Sequence, residues 1–250
     1  MYQEERLLKI LEYLSTNSNM SVHNICELLD VSRDTARRDI LKLTEQGAVL
    51  RTHGGITLPD FKDTIKAYRE RLSSHSEEKK NIAKKALSFI QEDEHCFFDV
   101  STVIRYLAES LNKKVTVFTH SLDNLEILSV ENQVTVHSIG GCLHKNNRFF
   151  YKPNCTEYFD GIHFDVAFLG AAAISPDGLY YDDEEDAFIK QSAIKQARSV
   201  IVLAEHQKFD HISYFRGANL NDIDVIITDS LPPQNYINLF KQYDIELILI

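Results

Sequence analysis

Cysteine is scarce in this chain, and long apolar runs are missing altogether. Of 250 residues only four are cysteine, Cys26, Cys96, Cys142 and Cys155. They stand too far apart for a Cys-x-x-Cys pair, and no histidine spacing completes a zinc site, so no metal is expected. Isolated thiols of this kind are expected as buried small hydrophobes in a reducing compartment. The longest nearly unbroken apolar run, Val166 to Ile174, falls well short of the roughly 20 residues a membrane span needs. Met1 leads into a charged amphipathic segment and not into a secretory leader. The expectation is a soluble cytoplasmic protein with no membrane contact. Glycine numbers nine, and no glycine-rich loop ties a pair of carboxylates to a lysine. No catalytic residue is assigned.

Positive charge is also in short supply: 27 Lys+Arg stand against 37 Asp+Glu, a formal net charge of -10. The deficit is unevenly spread. Residues 1–58 hold seven basic against eight acidic side chains, net -1, which leaves -9 for the rest of the chain. Between Val31 and His53 the balance turns to five basic and three acidic, net +2. The locally basic stretch is therefore embedded in an acidic protein, which would repel a polyanion everywhere else.

That basic stretch has a pattern. Ser32 precedes a helical run and can cap its first free amides. Ala36, Ile40 and Leu43 follow at helical spacing as one apolar stripe. Arg33, Arg37, Arg38 and Lys42 occupy the other face, where an arginine fork pairs with phosphate oxygens or with the O6 and N7 edge of guanine. Asp34 lies four residues before Arg38, so an intrahelical pair is expected there. Upstream, Glu4 to Thr16 and Ser21 to Leu29 read as two further helices, and the gap Asp30-Val31-Ser32 fits a helix-turn-helix elbow. Downstream, Ala48 to Arg51 and Ile56 to Leu58 read as strands reversing at Gly54-Gly55. The expected unit is a winged helix-turn-helix over residues 1–58 that reads double-stranded operator DNA. Its expected contacts are Ser32, Arg33, Thr35, Arg37, Arg38, Lys42, Arg51 and His53.

A chain of this length leaves room for a second, larger domain. Residues 59–76 turn polar and read as a linker, and Glu77 to Ile90 as an amphipathic helix. Apolar runs then recur at Cys96 to Val100, Val115 to Thr119, Val134 to Ile139, Asp165 to Leu169, Val200 to Leu203, Val225 to Thr228 and Ile245 to Ile250. Helical patterns separate several of them, at Val103 to Leu111, Asp123 to Leu128, Ala187 to Ala197 and Gln234 to Tyr243. This alternation predicts an open, mostly parallel α/β sheet over residues 77–250, covered on both faces. Ligands bind such sheets at the carboxyl ends of the strands. The residues there are Asp99, Ser101 and Thr102, then Thr119, His120 and Ser121, then Gly140 and Gly141, and finally Glu205 and Lys208. Hydroxyls, small residues and a lysine near helix N-termini suit a phosphate, so a phosphorylated small molecule is the expected ligand. Taken singly, Ser101 or Ser121 is equally an ordinary helix cap and Gly140-Gly141 an ordinary turn. The acidic run Asp182 to Asp186 is read as a solvated loop feeding a helix N-terminus, in preference to a metal site.

The first unit resembles the N-terminal domain of the DeoR family of bacterial transcriptional regulators. The resemblance rests on Val31-Ser32, on Thr35-Ala36-Arg37-Arg38-Asp39-Ile40 with Ala36 in place of a larger aliphatic residue, and on Arg51-Thr52-His53-Gly54-Gly55. It extends through Glu78-Lys79-Lys80-Asn81-Ile82-Ala83, Asp99-Val100-Ser101-Thr102-Val103, Thr119-His120-Ser121, Gly140-Gly141, Asp165 to Gly170, Lys190, Glu205 to Phe209 and Ile227-Thr228-Asp229. It implies a sensor domain similar in fold to ribose-phosphate isomerases and glucosamine-phosphate deaminases, with Lys190 joining the expected effector contacts. Ser101, Val103, His120 and Glu205 stand where the family has Gly, Thr, Asn and Asp, and Lys152-Pro153 where it has Gly-Pro. The departures fall at positions expected to touch the effector.

The implied function is a transcriptional regulator, most often a repressor, of a carbohydrate operon, with a phosphorylated sugar as allosteric effector and no cofactor. A homodimer or homotetramer is expected, because one short recognition helix per chain reads only part of an operator. Two alternatives compete with it: a sugar-phosphate isomerase or deaminase carrying a DNA-binding domain, and a regulator controlled by a protein partner.

Overall fold

The structure, a computed structural model, describes residues 3–17, 19–45, 49–52, 54–57, 70–152, 156–209 and 211–250. The chain forms two compact units, residues 1–69 and 70–250.

The first unit runs α1 (Gln3–Thr16), β1 (Asn19–Ser21), α2 (Val22–Leu29), α3 (Arg33–Glu45), β2 (Leu50–Thr52) and β3 (Gly55–Thr57). Ser21 caps α2 by accepting from the Asn24 amide at 3.1 Å, and Ser32 caps α3 by accepting from the Thr35 amide at 3.2 Å. Between them Asp30 turns the chain through a left-handed φ of 51°, a conformation short polar side chains tolerate. The expected stripe of Ala36, Ile40 and Leu43 is buried against Leu7, Ile10, Leu14, Ile25 and Leu29. The strand β1 had no counterpart in the sequence reading. It pairs antiparallel with β3, which also pairs with β2, giving the order β1-β3-β2.

The two glycines of the wing do different work. Gly54 has φ of +98° with open space around it, so it serves the reversal. A Cβ on Gly55 would run into the carbonyl of Met20 on β1, so its absence lets the two backbones approach.

The second unit opens with α4 (Ser76–Ala86) and continues through β4 (His95–Phe98), α5 (Thr102–Ser110), β5 (Val115–Thr119), α6 (Leu122–Leu128) and β6 (Val134–Ser138). A hairpin of β7 (Cys142–His144) and β8 (Phe149–Tyr151) comes next, then α7 (Thr156–Phe159), β9 (Phe164–Leu169), β10 (Ala173–Ser175), β11 (Gly178–Tyr181) and α8 (Glu184–Ile194). The chain ends with β12 (Ala197–Leu203), β13 (Phe215–Ala218), β14 (Val225–Thr228), α9 (Gln234–Gln242) and β15 (Glu246–Leu249). Seven strands form a parallel sheet in the order β15-β14-β12-β9-β4-β5-β6. Each of the seven apolar runs supplies one of them.

Both faces of this sheet are covered, as expected. Phe98, Val166, Phe168, Ile201 and Leu203 point to the side of α4 and α5. Their neighbours Phe97, Ala167, Leu169 and Val200 join Ile189 of α8 on the other side, the alternation that a pleated strand imposes. The chain steps outward from β4 to β6, returns beside β4 at β9, and then steps outward the other way. Strand order therefore reverses between β4 and β9, and the crevice outside their carboxyl ends is where ligands of open α/β sheets sit.

Cysteine environments only partly follow expectation. Cys96 is buried and Cys26 half-buried, but Cys142 is exposed on β7, and Cys155 lies outside the described residues. Burial pushes the Cys96 thiol well above its usual range, which keeps it protonated and unreactive.

Candidate functional site

Helix α3 presents Arg33, Arg37 and Arg38 to solvent, and β2 presents Arg51. Thr35 is half-buried and its hydroxyl lies 2.9 Å from that of Ser32, so the cap and the first turn share one hydrogen-bonded pair. One detail of the charge arrangement departs from the sequence reading. Asp34 faces Arg37, at 3.9 Å, and not Arg38; i,i+3 and i,i+4 positions are both neighbours on a helix, and the side-chain directions decide. Asp39 does not interrupt the exposed face: it is fully buried and grips Arg6 of α1 through two hydrogen bonds of 2.6 and 3.0 Å. Gln3 adds a third donor to Asp39 at 3.1 Å. This fork holds the recognition helix to α1, and it raises the Arg6 guanidinium above its usual range. Lys42 is half-buried and donates to Gln3 at 3.2 Å. Arg33, Arg38 and Arg51 have no ion-pair partner among the described residues, and His53 lies outside them.

At the sheet reversal a polar network replaces the apolar core. Asp99, directly after β4, accepts from the Gly170 amide at 2.7 Å, directly after β9, so one carboxylate bridges the two strand ends. Lys190 of α8 reaches this carboxylate at 3.1 Å and Asp186 at 2.7 Å, with its ammonium 3.6 Å from the centroid of the Tyr181 ring. Asp186 also meets His120 Nε2 at 2.8 Å. All four polar side chains of this chain of contacts, Asp99, Lys190, Asp186 and His120, are buried. Burial pushes the Asp186 carboxyl up, but the Lys190 ammonium and His120 outweigh it and leave it below the usual carboxylate range. Burial likewise pulls Lys190 down, and the two carboxylates more than restore it.

Hydrogen-bond roles in this network are fixed by exclusion. Thr119 donates to the Phe98 carbonyl at 2.7 Å, so its oxygen must accept from Asn124 at 3.3 Å. Asn124 spends its other donor on the Asp99 carbonyl at 2.9 Å. Because a carboxylate only accepts, His120 Nε2 carries the proton toward Asp186. Three buried atoms are then left without a partner among the described residues: Asp99 Oδ1, Asn124 Oδ1 and His120 Nδ1. The two side-chain oxygens accept and neither has a donor, an arrangement that costs free energy unless something supplies one.

Around this centre the other expected residues are distributed. Ser101 caps α5, accepting from the Ile104 amide at 3.3 Å, with Thr102 half-buried beside it. Ser121 caps α6 in the same way, at 3.2 Å from the Asn124 amide. Gly140 and Gly141 have φ of +65° and +103° and lead into the β7–β8 hairpin, whose Phe150 amide donates to the His120 carbonyl at 2.8 Å. Lys190 is engaged by its two carboxylates and the Tyr181 ring. Glu205, after β12, is buried and turned toward Lys79 of α4 at 3.3 Å. Lys208, half-buried, has no partner among the described residues.

The acidic run is the clearest correction to the sequence reading. Helix α8 starts at Glu184, so Glu184, Glu185 and Asp186 form its first turn and not a loop. Asp186 is buried in the network, and Asp183 meets His144 at 3.4 Å and Asn147 at 2.6 Å. Asp186 and Lys190 are four apart on one helix, a spacing visible in the sequence; nothing local showed that this face turns inward. Asn124 and Tyr181 were missed for the same reason. Among the described residues no group of His, Cys, Asp and Glu is placed to hold a metal, and no helix is long and apolar enough to cross a membrane.

An elbow capped by Ser32, free arginines on its second helix and a glycine-turned hairpin beside it make the first unit a winged helix-turn-helix DNA-binding domain. The chain belongs to the DeoR family of transcriptional regulators: the DeoR-like helix-turn-helix domain matches residues 6–62 and the DeoR C-terminal sensor domain residues 74–230. Among its relatives is the HTH-type transcriptional repressor GlcR of Bacillus subtilis, 40% identical over all of this chain and 97% of the relative. The lactose phosphotransferase system repressor of Lactococcus lactis is 31% identical, over 97% of each chain. Ribose 5-phosphate isomerase A from Neisseria gonorrhoeae aligns with 54% of this chain and 53% of its own at 16% identity and a TM-score of 0.40, too slight a likeness to bear on function. The protein is a DNA-binding transcriptional regulator.

Proposed function

We propose that this regulator represses a carbohydrate-metabolism operon, and that a phosphorylated sugar bound at the carboxyl edge of the parallel sheet changes its affinity for operator DNA. The observation that carries this reading is the pair of donorless acceptors, Asp99 Oδ1 and Asn124 Oδ1, buried beside the unpartnered His120 Nδ1 where strand order reverses. Sugar hydroxyls are donors and would satisfy them. The phosphate falls to the N-terminus of α5 at Ser101 and Thr102, where free amides and the helix dipole favour an anion, with Lys208 as its cation. Thr119 and Ser121 shape the floor, and Gly140 and Gly141 let the β7–β8 hairpin fold over it. Lys190 holds Asp99 in place and Glu205 holds Lys79, so both act through a neighbour. The domain needs no resident cofactor.

On the DNA side, Arg37 and Arg38 read base edges or clamp phosphates, Ser32, Arg33, Thr35 and Lys42 fix the register, and Arg51 and His53 bring the wing to the backbone. A homodimer or homotetramer, acting in the cytoplasm, places at least two recognition helices on one operator. The test is thermal shift with a panel of sugar phosphates, repeated with an operator duplex present and with product analysis. A ligand that raises the melting temperature, alters operator affinity and is recovered unchanged is the expected result. Turnover of a sugar phosphate would make the domain an enzyme, and silence across the panel would leave the protein-partner alternative.

A further inference from the structure

The stretch that joins the linker to α4 is held by four side chains from elsewhere in the second unit. Lys79, itself on α4 and buried, donates to the carbonyl of Arg71 and, at 2.7 Å, to that of Ser74. Its third contact is Glu205 at 3.3 Å, so all three ammonium protons are spent. Tyr106 of α5 donates to the Leu72 carbonyl at 3.1 Å. Asn147, at the tip of the β7–β8 hairpin, accepts from the Arg71 guanidinium at 2.8 Å while donating to Asp183 at 2.6 Å. Gln207 lies 3.1 Å from His75.

These holders share an origin. Tyr106 sits on the helix that Ser101 begins, Asn147 on the hairpin that Gly140 and Gly141 begin, and Glu205 and Gln207 in the loop that ends β12. Each is rooted at the carboxyl edge of the sheet and ends on residues 71–79. Lys79 is the most deeply placed of the contacts. Burial pulls it below its usual range and Glu205 only partly restores it, so its charge is kept at a cost to stability. A methionine of similar length would fill the space without that cost.

We propose that Lys79 is the positioning residue through which occupancy of the carboxyl edge reaches the DNA-reading unit, by tying Glu205 to the backbone of Arg71 and Ser74 where the chain leaves the linker. This rests on the effector reading above. A ligand that moves the loop after β12, the hairpin or the start of α5 changes the hold on residues 71–79, where the second unit is joined in sequence to the first. Each ligand-side displacement thereby acquires a differential effect on the two ends of the molecule, which is what coupling between sites requires.

The test is Glu205→Gln in the full chain, which keeps the side chain's shape and removes the charge that offsets Lys79. Without any added small molecule, hydrogen exchange of amides 71–79 should rise about tenfold while the central strands stay protected. Affinity for an operator duplex, selected from a random pool by repeated binding, should change about fivefold. A purely structural role would lower the melting temperature and leave operator affinity unmoved. With glucose 6-phosphate, ribose 5-phosphate, fructose 1-phosphate and glycerol 3-phosphate as probes, whichever stabilises the wild type should bind the variant as tightly but lose its effect on DNA. Unchanged exchange at 71–79 together with unchanged operator affinity overturns the proposal. If both change while no probe stabilises the wild type, the coupling stands and the effector reading fails. Should Glu205→Gln not fold, Lys79→Met fills the same space without the buried charge, and unchanged exchange at 71–79 in that variant overturns the proposal equally.

Discussion

The two units of this chain carry charge in opposite ways. Along α3 the arginines stand in water, and the one tightly held acid of that helix, Asp39, is buried on the side away from them. At the carboxyl edge of the sheet Asp99, Asp186, Lys190 and His120 are buried together and hold one another through ion pairs. Exposed guanidiniums keep their hydration until they exchange it for phosphate, so their contribution to DNA binding is graded and sensitive to salt. Buried charges have no such reserve: each depends on its neighbour, and losing one strands the others. On the proposed function, the α3 face would add contacts to DNA one by one, and the network at the sheet edge would respond as a unit.

The sharpest way to break this contrast is Lys190→Met. It leaves Asp99 and Asp186 buried without their cation, and the expected loss is on the order of 3–5 kcal/mol, read from the denaturant midpoint. A midpoint equal to that of the wild type would mean the network is not interdependent. Next in size, Arg37→Ala or Arg38→Ala should weaken operator binding by about 1–3 kcal/mol for a base contact, or lower the salt slope by about one for a phosphate contact. The melting temperature should not move; a variant that lost stability as well would place that arginine in the fold and not on the DNA.

The wing separates two kinds of glycine. Gly55→Ala sets a methyl against the Met20 backbone and should cost about 1–3 kcal/mol, whereas Gly54→Ala meets only backbone strain, about 1–2 kcal/mol. Thermal unfolding of the two variants side by side decides it, and equal losses would show that the approach of β1 is not what Gly55 serves. The smallest effect near neutrality is that of pH. Asp186 is held below its ordinary 3.8, so the stability it confers is complete above that value and is lost as pH falls through the depressed one. Lys190 is held above its ordinary 10.5, so its contribution is complete below that value and fades as pH rises through the raised one. Stability from this network should therefore be flat across the neutral range. In Lys190→Met the acid limb should move toward higher pH, and an unmoved limb would show that Asp186 does not depend on the lysine.

How much of this was legible depends on the range over which each feature is decided. The seven parallel strands were, because a strand buried on both faces reads as a short apolar run, and Val115 to Thr119 or Val225 to Thr228 need no partner to be seen. The recognition helix was, through Ser32 and the spacing of Ala36, Ile40 and Leu43. The three-residue strands β1, β7, β8 and β10 were not, since three residues are too few to show alternation and pairing alone makes them strands. Asp99 and Ser101 lie at the carboxyl edge where the rule that ligands gather after parallel strands places them. Asp186 was read as solvated, because an acid at a helix N-terminus is ordinarily content in water; only the position of α8 against β9 and β4 turned it inward.

By itself, then, the sequence determined what depends on neighbours within about two helical turns: the caps, the apolar stripes, the alternation of strand and helix, and the local excess of positive charge between Val31 and His53. The tertiary structure decided everything that depends on residues brought together from afar. It placed Asp39 on Arg6, Lys190 between Asp99 and Asp186, and Lys79 between Glu205 and the chain leaving the linker. The physical reason is that a side chain's chemistry is local but its burial and its partners are not. A carboxylate in water and one held by a buried lysine are the same residue until the fold chooses between them.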